Sequence, residues 1–227
     1  MPSPALSIII PTLHEAAGIS AALAALAPLA SRGAQLIVAD GGSTDGTGQL
    51  AGAAGAAVVC APRGRAMQMN AGAKQAGGSV LLFLHADTLL PADADQHIAR
   101  ALAGGQAAWG RFDVRIAGQS PMLRVVAGLM NLRSRLSGIA TGDQAIFMTR
   151  TAFDAVGGFP DQPLMEDIEI SKRLRCLSRP ACLRAKVTTS GRRWEARGVW
   201  RTIALMWRLR FAYWRGAPPE RLAQLYR

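Results

Sequence analysis

The chain has 227 residues, of which 50% are hydrophobic, 18% charged and 6% aromatic. That length makes one domain with a sizeable core the expectation, and the hydrophobic share excludes an intrinsically disordered chain. The net charge of +11 is uneven, with 5 Lys and Arg against 6 Asp and Glu in residues 1–110, and 21 against 9 in residues 111–227.

Along the first hundred residues two patterns alternate. Short apolar runs, Ala5–Ile10, Gln35–Ala39, Ala57–Cys60 and Ser79–Leu84, read as buried strands. Each is followed by an Ala-rich stretch of helical length: Ala16–Ala30, Thr47–Ala54, Arg65–Gln75 and Ala92–Ala103. Strand and helix at this spacing predict a parallel sheet with helices on both faces. The unbroken hydrophobicity of Ser7–Ile10 and Val80–Leu84 predicts burial on both sides.

After Gly105 the pattern changes. Ala107–Ile116 reads as a strand, Pro121–Leu136 as a basic helix, Gln144–Thr149 as another strand, and Val156–Pro160 as a Gly-Gly turn. Glu166–Leu177 has the charge order of a helix, acids first and Lys172, Arg173 and Arg175 last. Ala181–Val187 is a strand candidate, and Val199–Trp214 a long helix rich in Trp and Arg. No linker separates two domains, so residues 1–227 are expected to fold as one, in three parts: 1–105, 106–197 and a basic amphipathic C-terminal segment, 198–227.

Cys60, Cys176 and Cys182 leave one cysteine odd and form no metal-type pair, which speaks against a disulfide scaffold or a zinc site. The start, MPSPALSIIIPTLHE, has no basic opening and too short an apolar run for a signal peptide. No stretch reaches 18 uncharged apolar residues, and a cytoplasmic location is expected, with peripheral contact at the inner face of a membrane as an option. From Arg184 onward 11 basic side chains face 2 acidic ones, so this end suits an anionic partner: nucleic acid, a lipid surface or a phosphorylated substrate.

In an open parallel sheet ligands bind outside the carboxyl ends of the strands. Four strand ends here supply polar groups to one rim: Pro11-Thr12-Leu13-His14-Glu15, the Gly-rich loop Asp40–Thr47, Arg63-Gly64-Arg65, and His85-Ala86-Asp87. No G-x-G-x-x-G follows the first strand and no G-K-[ST] exists, so neither the dinucleotide nor the P-loop mechanism applies. Asp40 at its strand's end either caps a tight turn or accepts from a nucleoside. Asp87 either opens a turn before Pro91 or holds a divalent cation whose other positions go to phosphates. His85 is a second ligand, a phosphate donor or an edge histidine, and His14 and His97 read as structural. Glu166 and Asp167 either complement a helix dipole or supply a general base, which the helix N-terminus would keep ionised.

Together these segments resemble the family 2 glycosyltransferases of the GT-A fold, over most of the chain. Ser7–Glu15 looks like the family's opening strand and P-x-x-N-E turn, with His14 for Asn. Val38–Thr47 is similar to its D-[DG]-G-S-T-D-G-T nucleotide loop, Asn70-Ala-Gly72 to its R-N-x-G element, and Phe83–Thr88 to its D-x-D segment. Gly157-Gly158-Phe159 followed by Glu166-Asp167 looks like its G-G-F…E-D, and Arg192-Arg193-Trp194 sits where many members place an R-W pair. Within the family the pattern looks closest to a bacterial subgroup associated with radical-SAM genes and arsenosugar biosynthesis.

The resemblance implies a GT-A sheet, mostly parallel, and inverting transfer from a nucleoside-diphosphate sugar to a hydroxyl acceptor, with Mg or Mn at the diphosphate. It places Pro11, Thr12, Glu15, Asp40, Gly41, Ser43, Arg65, Asn70, His85 and Ala86 at the nucleotide sugar. Asp87 falls at the metal, and Asp167 with Glu166 at the acceptor hydroxyl. Two departures matter: His85 stands for the first Asp of D-x-D, and Met69 for the Arg before Asn70, leaving Arg65 or Arg63 to meet diphosphate charge.

Trp109, Arg111, Thr141, Gly142, Asp143, Gln144, Arg193 and Trp194 are candidates for the acceptor side, since Trp stacks on sugars and Arg pairs with anions. For Trp109 and Arg111 the alternative is core packing and a solvated charge. Trp200, Trp207 and Trp214 recur every seven residues, which fits either membrane contact through residues 198–215 or a terminal helix packing its apolar stripe on the sheet. A nucleic-acid-binding module would need aromatic residues on an exposed sheet, and a nucleotidyltransferase a Gly-rich first turn with Arg or Lys, which Pro11–Glu15 lacks; neither is the expectation.

Overall fold

The computed structural model describes residues 5–226, with every side chain among them but that of Arg193. Its first half alternates β1 (Leu6–Thr12), α1 (Ala16–Ala25), α2 (Ala27–Ser31), β2 (Gln35–Asp40), α3 (Thr47–Ala53), β3 (Ala57–Cys60), α4 (Arg65–Gln75) and β4 (Val80–Phe83). The helix expected over 16–30 is broken after Ala25, where Pro28 falls in the first turn of a second short helix. Proline lacks the N–H that a continuing helix needs, but suits a helix start.

Next come β5 (Thr88–Leu89), α5 (Ala94–Leu102), β6 (Trp109–Ala117), α6 (Met122–Ser137), a 3-10 turn at Gly142–Gln144, β7 (Phe147–Thr149) and α7 (Arg150–Ala155). The chain ends with α8 (Glu166–Arg175), β8 (Ala181–Ser190), α9 (Arg192–Arg197), α10 (Val199–Trp214) and α11 (Pro219–Tyr226). The strand expected over 144–149 is shorter than its pattern. Gln144 bends back so that its side-chain carbonyl accepts the Thr141 N–H at 3.2 Å, while its own N–H reaches the Thr141 carbonyl at 2.9 Å.

One eight-stranded sheet, in the order β3-β2-β1-β4-β7-β6-β8-β5, runs through both halves. β1 pairs in parallel with β2 and β4, and β2 with β3, whereas β7 runs antiparallel to both β4 and β6. The parallel block therefore ends at β4. The polar rim continues beyond it on turns rather than on strand ends.

The apolar runs are continuous because the sheet has a core on each face. Ile8, Ile10, Val38 and Leu82 point into one cluster with α1 and α6, while Ile9, Ile37, Leu81 and Phe83 point into another with α4 and α8. Alternation along a strand then places an apolar residue at every position. α4 lies tightly on β1: a Cβ on Gly72 would stand 2.5 Å from Ile9 Cγ2, so only glycine fits there. Among the described residues no helix is long and apolar enough to cross a membrane.

α10 departs from one expectation for it, that its tryptophan stripe packs on the sheet. Its packed face carries Leu209, fully buried, with Leu205 and Tyr213 around a third cluster. Trp200, Trp207 and Trp214 lie on the other side, 70%, 75% and 78% exposed. The tryptophan repeat is thus not the stripe that packs.

Candidate functional site

The carboxyl ends of β1 and β2 are fastened side by side. The buried Gln68, on α4, donates from Nε2 to the carbonyls of both Thr12 and Ala39. Thr12 pairs with Asp40 in register, and Gly41 leaves room for the Gln68 amide, which a Cβ would approach to 2.9 Å. Nothing in the sequence marked Gln68, an ordinary helix residue until the two strand ends meet beneath it.

Two loops are stitched together above this base. The Asp40 carboxylate, largely buried, accepts the Ser43 N–H at 3.1 Å and also the Ser43 hydroxyl, whose oxygen in turn accepts the His14 N–H at 2.9 Å. Thr47 Oγ1 accepts the Glu15 N–H at 2.9 Å and donates to Asp45 at 2.6 Å, and Asp45 also accepts from the Ala16 N–H. The hydrogen bond from Thr47 holds Asp45 below the usual carboxylate range. His14 has φ of 56°, a left-handed conformation in which Asn, Asp and His are the better-tolerated residues. That accounts for His in the place of Asn.

Asp87 is exposed on the loop after β4. Burial and, next, the nearby Asp87 carboxylate push Glu15 above its ordinary range, while Arg192 pulls it back. Glu15, Asp45 and Asp87 thus crowd negative charge on one part of the rim, a tension that a bound cation relieves. Among the described residues no three His, Cys, Asp or Glu side chains gather into a metal centre. A set of one or two carboxylates suits a cation that takes its remaining oxygens from a diphosphate and water. His85 is not part of that set, contrary to one expectation. Its Nδ1 faces Asp143 at 3.2 Å, and its Nε2 is buried without a partner against Gly142, where a Cβ would come within 2.4 Å.

Behind His85 lies a small cavity of about 10 Å³, room for one water, lined by Arg65, Met69, Phe83, Gly142, Glu166 and Asp167 among others. Asp167 Oδ2 accepts the Gly142 N–H at 3.1 Å and Oδ1 the Ile168 N–H at 2.8 Å. Glu166, 2% exposed, receives Arg65 Nη1 at 3.3 Å across 101 residues of chain. Partial burial pushes the Arg65 guanidinium down, but Glu166, Asp143 and Asp167 outweigh it and leave its pKa raised. The helix N-terminus was expected to keep Asp167 strongly acidic, and that expectation fails. Burial, then the charge of Glu166, raises Asp167 from 3.8 to about 6, against the two N–H donors and Arg65. Desolvation wins because the carboxylate is enclosed where the dipole acts from one side only.

Met165, immediately before these acids, and Ala145, after the 3-10 turn, both adopt left-handed backbone, with φ of 67° and 47°. Such geometry costs a non-glycine residue roughly 1–2 kcal/mol. Both strained residues are buried and flank the segments that hold Asp167.

Several expected site residues serve the frame instead. Asn70 grips the backbone of Phe159, donating to its carbonyl at 2.8 Å and accepting its N–H at 2.9 Å, so its amide is spent on the Gly-Gly-Phe turn rather than on a nucleotide. Trp109 is fully buried, with Nε1 donating to the Ser178 carbonyl at 3.0 Å, and cannot stack on an acceptor. Arg111 is neither solvated nor open to ligand: fully buried, it binds Asp113, Ser134 Oγ at 3.0 Å and the Asn131 carbonyl at 3.2 Å. Gln144 is also fully buried, between Thr141 and Asn131. Thr141 is buried with it, and Trp194 packs partly buried on the first core cluster. The Arg193 side chain lies outside the described residues. Pro11 and Ala86 are half-buried at the ends of β1 and β4.

Among the described residues three side chains hold buried polar atoms without a partner: Thr12 at Oγ1, His85 at Nε2, and Arg133 at Nε and Nη2. Burial lowers the Arg133 pKa and the Asp167 charge raises it, so this guanidinium feels the same carboxylate. Unpaired buried polar atoms are rare and concentrate where a ligand completes them.

The family model for glycosyl transferase family 2 matches residues 7–157, more than half of the chain. The chain belongs to glycosyl transferase family 2. As in other members of that family, a GT-A sheet with helices on both faces carries the rim. A mannosyltransferase from Pyrobaculum calidifontis, solved with GDP-Man and Mn2+, superposes with a TM-score of 0.61 at 20% identity, over 82% of this chain and 56% of that one. Glucosyl-3-phosphoglycerate synthase from Mycobacterium tuberculosis, solved with Mn2+, UDP and glucosyl-3-phosphoglycerate, gives 0.63 at 21% identity, over 83% and 71%. S. aureus TarS in complex with UDP gives 0.66 at 18% identity, over 82% and 60%. The chain thus spans between roughly half and three quarters of the length of these structures. No curated protein matches this family 2 chain in sequence.

Proposed function

We propose that the protein is an inverting glycosyltransferase that moves a sugar from a nucleoside-diphosphate sugar to an acceptor hydroxyl, with Asp167 as general base. The observation that carries this reading is the state of Asp167: half-buried, raised to about 6, pinned by two N–H groups and bordering a cavity that includes the β4 end. A carboxyl poised near neutrality takes a proton better than one at its ordinary value, and remains ionised above pH 6. Proton removal from the alcohol is needed as the new glycosidic bond forms and the diphosphate leaves from the opposite side of the anomeric carbon.

The other roles follow from position. Asp40, braced by Ser43, together with Pro11, Thr12, Glu15 and Gly41, meets the nucleoside. Arg65 is the cation that faces the diphosphate, and Asp143, Gly142 and His85 shape the space between donor and base. Asp87, with Glu15 close by, would hold a divalent cation, Mg or Mn, whose charge offsets that of the leaving diphosphate. Solved structures of the similar mannosyltransferase and of the phosphoglycerate synthase contain Mn2+. The subgroup placement near arsenosugar biosynthesis rests on the sequence motifs alone. Free Cys60, Cys176 and Cys182 fit a reducing, cytoplasmic setting. We also propose peripheral membrane contact through residues 198–215, supported by the exposed tryptophans of α10. The large exposed aromatic residues described all lie on that helix rather than on the sheet, which removes the platform a nucleic-acid reading would need.

A thermal-shift panel of UDP, GDP, dTDP and their sugars, with and without Mn, tests donor binding. Asp167→Asn should keep the donor-induced shift while cutting nucleoside-diphosphate release in the presence of alcohol acceptors by about 10²–10⁴-fold. Undiminished turnover would remove Asp167 as the base.

A further inference from the structure

α6 and α10 are 16 residues each, and both press one side against the core while leaving the opposite side bare. On α10 the inner side is marked by the buried Thr202 and Leu209. Its outer side carries Trp200 (70% exposed), Trp207 (75%), Phe211 (60%) and Trp214 (78%). On α6 the inner side holds Leu123, Val126, Ala127 and Ser134. The outer side carries Val125 (52% exposed), Leu129 (59%), Leu132 (53%) and Leu136 (80%). At 3.6 residues per turn each set of four falls within an arc of about 60°, so each helix presents a continuous apolar stripe.

Both helices carry arginine beside the stripe. Neither contains an acidic residue. Arg124 borders one edge of the α6 stripe, about 100° from the line through Val125, whereas Arg133 and Arg135 turn inward, the first with buried guanidinium nitrogens and the second onto Asp113 and the Cys182 carbonyl. Arg201 and Arg208 border one edge of the α10 stripe and Arg210 the other, at similar angles. The two helices also share a foundation. Met122 and Met130 of α6 and Val199 and Ile203 of α10 all pack on the first core cluster. Ile139, one residue beyond the α6 cap, joins Leu205 and Leu209 in the third.

We propose that the outward faces of α6 and α10 together form a docking surface for an anionic lipid interface. Apolar stripes of this width sink to the headgroup–acyl boundary, where Arg201, Arg208 and Arg210 on the two flanks of α10 and Arg124 beside α6 extend their guanidinium groups to lipid phosphates. A second copy of the chain fits less well, because self-association through the same face would set arginine rows against one another without a carboxylate to pair them. The inference extends membrane contact beyond residues 198–215 to α6, and it does not rest on the transfer reading.

Flotation of the full chain with phosphatidylcholine vesicles, with and without phosphatidylglycerol, tests it. The wild type should float with the anionic vesicles only, with a blue shift of tryptophan emission. Two triple variants, Trp207→Ser with Phe211→Ser and Trp214→Ser, and Leu129→Ser with Leu132→Ser and Leu136→Ser, should each weaken that binding at least tenfold. Circular dichroism and melting temperature report that each variant is folded. Equal flotation with neutral vesicles, or none with anionic ones, would overturn the proposal. So would an unaffected α6 variant, or a wild-type dimer by light scattering that the variants convert to monomer. Nucleotide-induced stabilisation, measured on the same samples, reports separately on the transferase reading.

Discussion

The loop rim at the ends of β1 and β2 and the acidic pocket around Asp167 reach order by different means. The rim is two contiguous loops, 11–16 and 40–47, whose short polar side chains bind each other and backbone N–H groups near the surface. The pocket is assembled from distant pieces: Arg65 meets Glu166 across 101 residues, His85 meets Asp143 across 58, and Asp167 meets Gly142 across 25. Charge at the rim stays in partial contact with water. In the pocket Glu166 is enclosed while Arg65 and Asp143 keep contact with water, and the brace behind it, Arg111 with Asp113, is the most enclosed pair. The same residue types therefore do different energetic work in the two places, and substitutions should show it.

The largest effect is expected at that brace. Arg111→Gln removes the buried partner of Asp113 and leaves Arg135, at 2.7 Å, as its remaining cation. It also strips Ser134 and the Asn131 carbonyl of a donor, at a point where α6 is joined to β6 and, through Asn131, to Gln144. Breaking a buried pair from one side costs about 3–5 kcal/mol. Chemical denaturation should record a loss of that order; one below about 1 kcal/mol would mean that the pocket side is no more tightly braced than the rim.

A smaller effect separates the regions by pH. Asp167 is raised in the folded chain from 3.8 to about 6. Its protonated form is favoured by folding, so its contribution is present below pH 3.8 and lost as pH rises through about 6. At about 1.4 kcal/mol per unit, the loss approaches 3 kcal/mol. The wild type should lose stability between pH 4.5 and 7 relative to Asp167→Asn, and turnover should rise through the same window as the base ionises. Parallel stability curves for the two proteins would place the carboxyl in a solvated setting.

How much of this was legible in the sequence divides along the same line. Val38–Thr47 announced its loop because a strand end followed by Gly, Ser, Thr and Asp has few other conformations, and β2, α3, β3 and α4 fall within a residue of their patterns. The pocket gave mixed signals because burial is decided by partners far along the chain. Arg111 and Gln144 look like ligand-binding side chains until Ser134 and Asn131 come to meet them. Asn70 looks like part of a nucleotide motif until Phe159 folds over it. Gln68 carried no local signal, since its role exists only once β1 and β2 end side by side. Acid-first order marks the start of α8, but at Asp167 desolvation outweighs the helix dipole, and desolvation depends on residues far along the chain.

The smallest effect is expected where the rim looks most elaborate. Thr47→Val keeps the shape of a fully buried side chain while deleting a hydroxyl that accepts from Glu15 N–H and donates to Asp45. Glu15 is half-buried, and Asp45 retains the Ala16 and Thr47 N–H groups, so the Glu15 N–H alone loses its acceptor. The loss should be about 1 kcal/mol, the net worth of an ordinary hydrogen bond, rather than the several expected at Arg111. Nucleotide affinity is the sharper readout, because releasing the 11–16 loop from the 40–47 loop frees the pair to move apart. If thermal-shift titration shows donor affinity falling severalfold while unfolding changes by only this small amount, the rim's hydrogen bonds serve to preorganise the nucleoside site. A stability loss matching that of Arg111→Gln would instead make the rim as much a part of the frame as the brace.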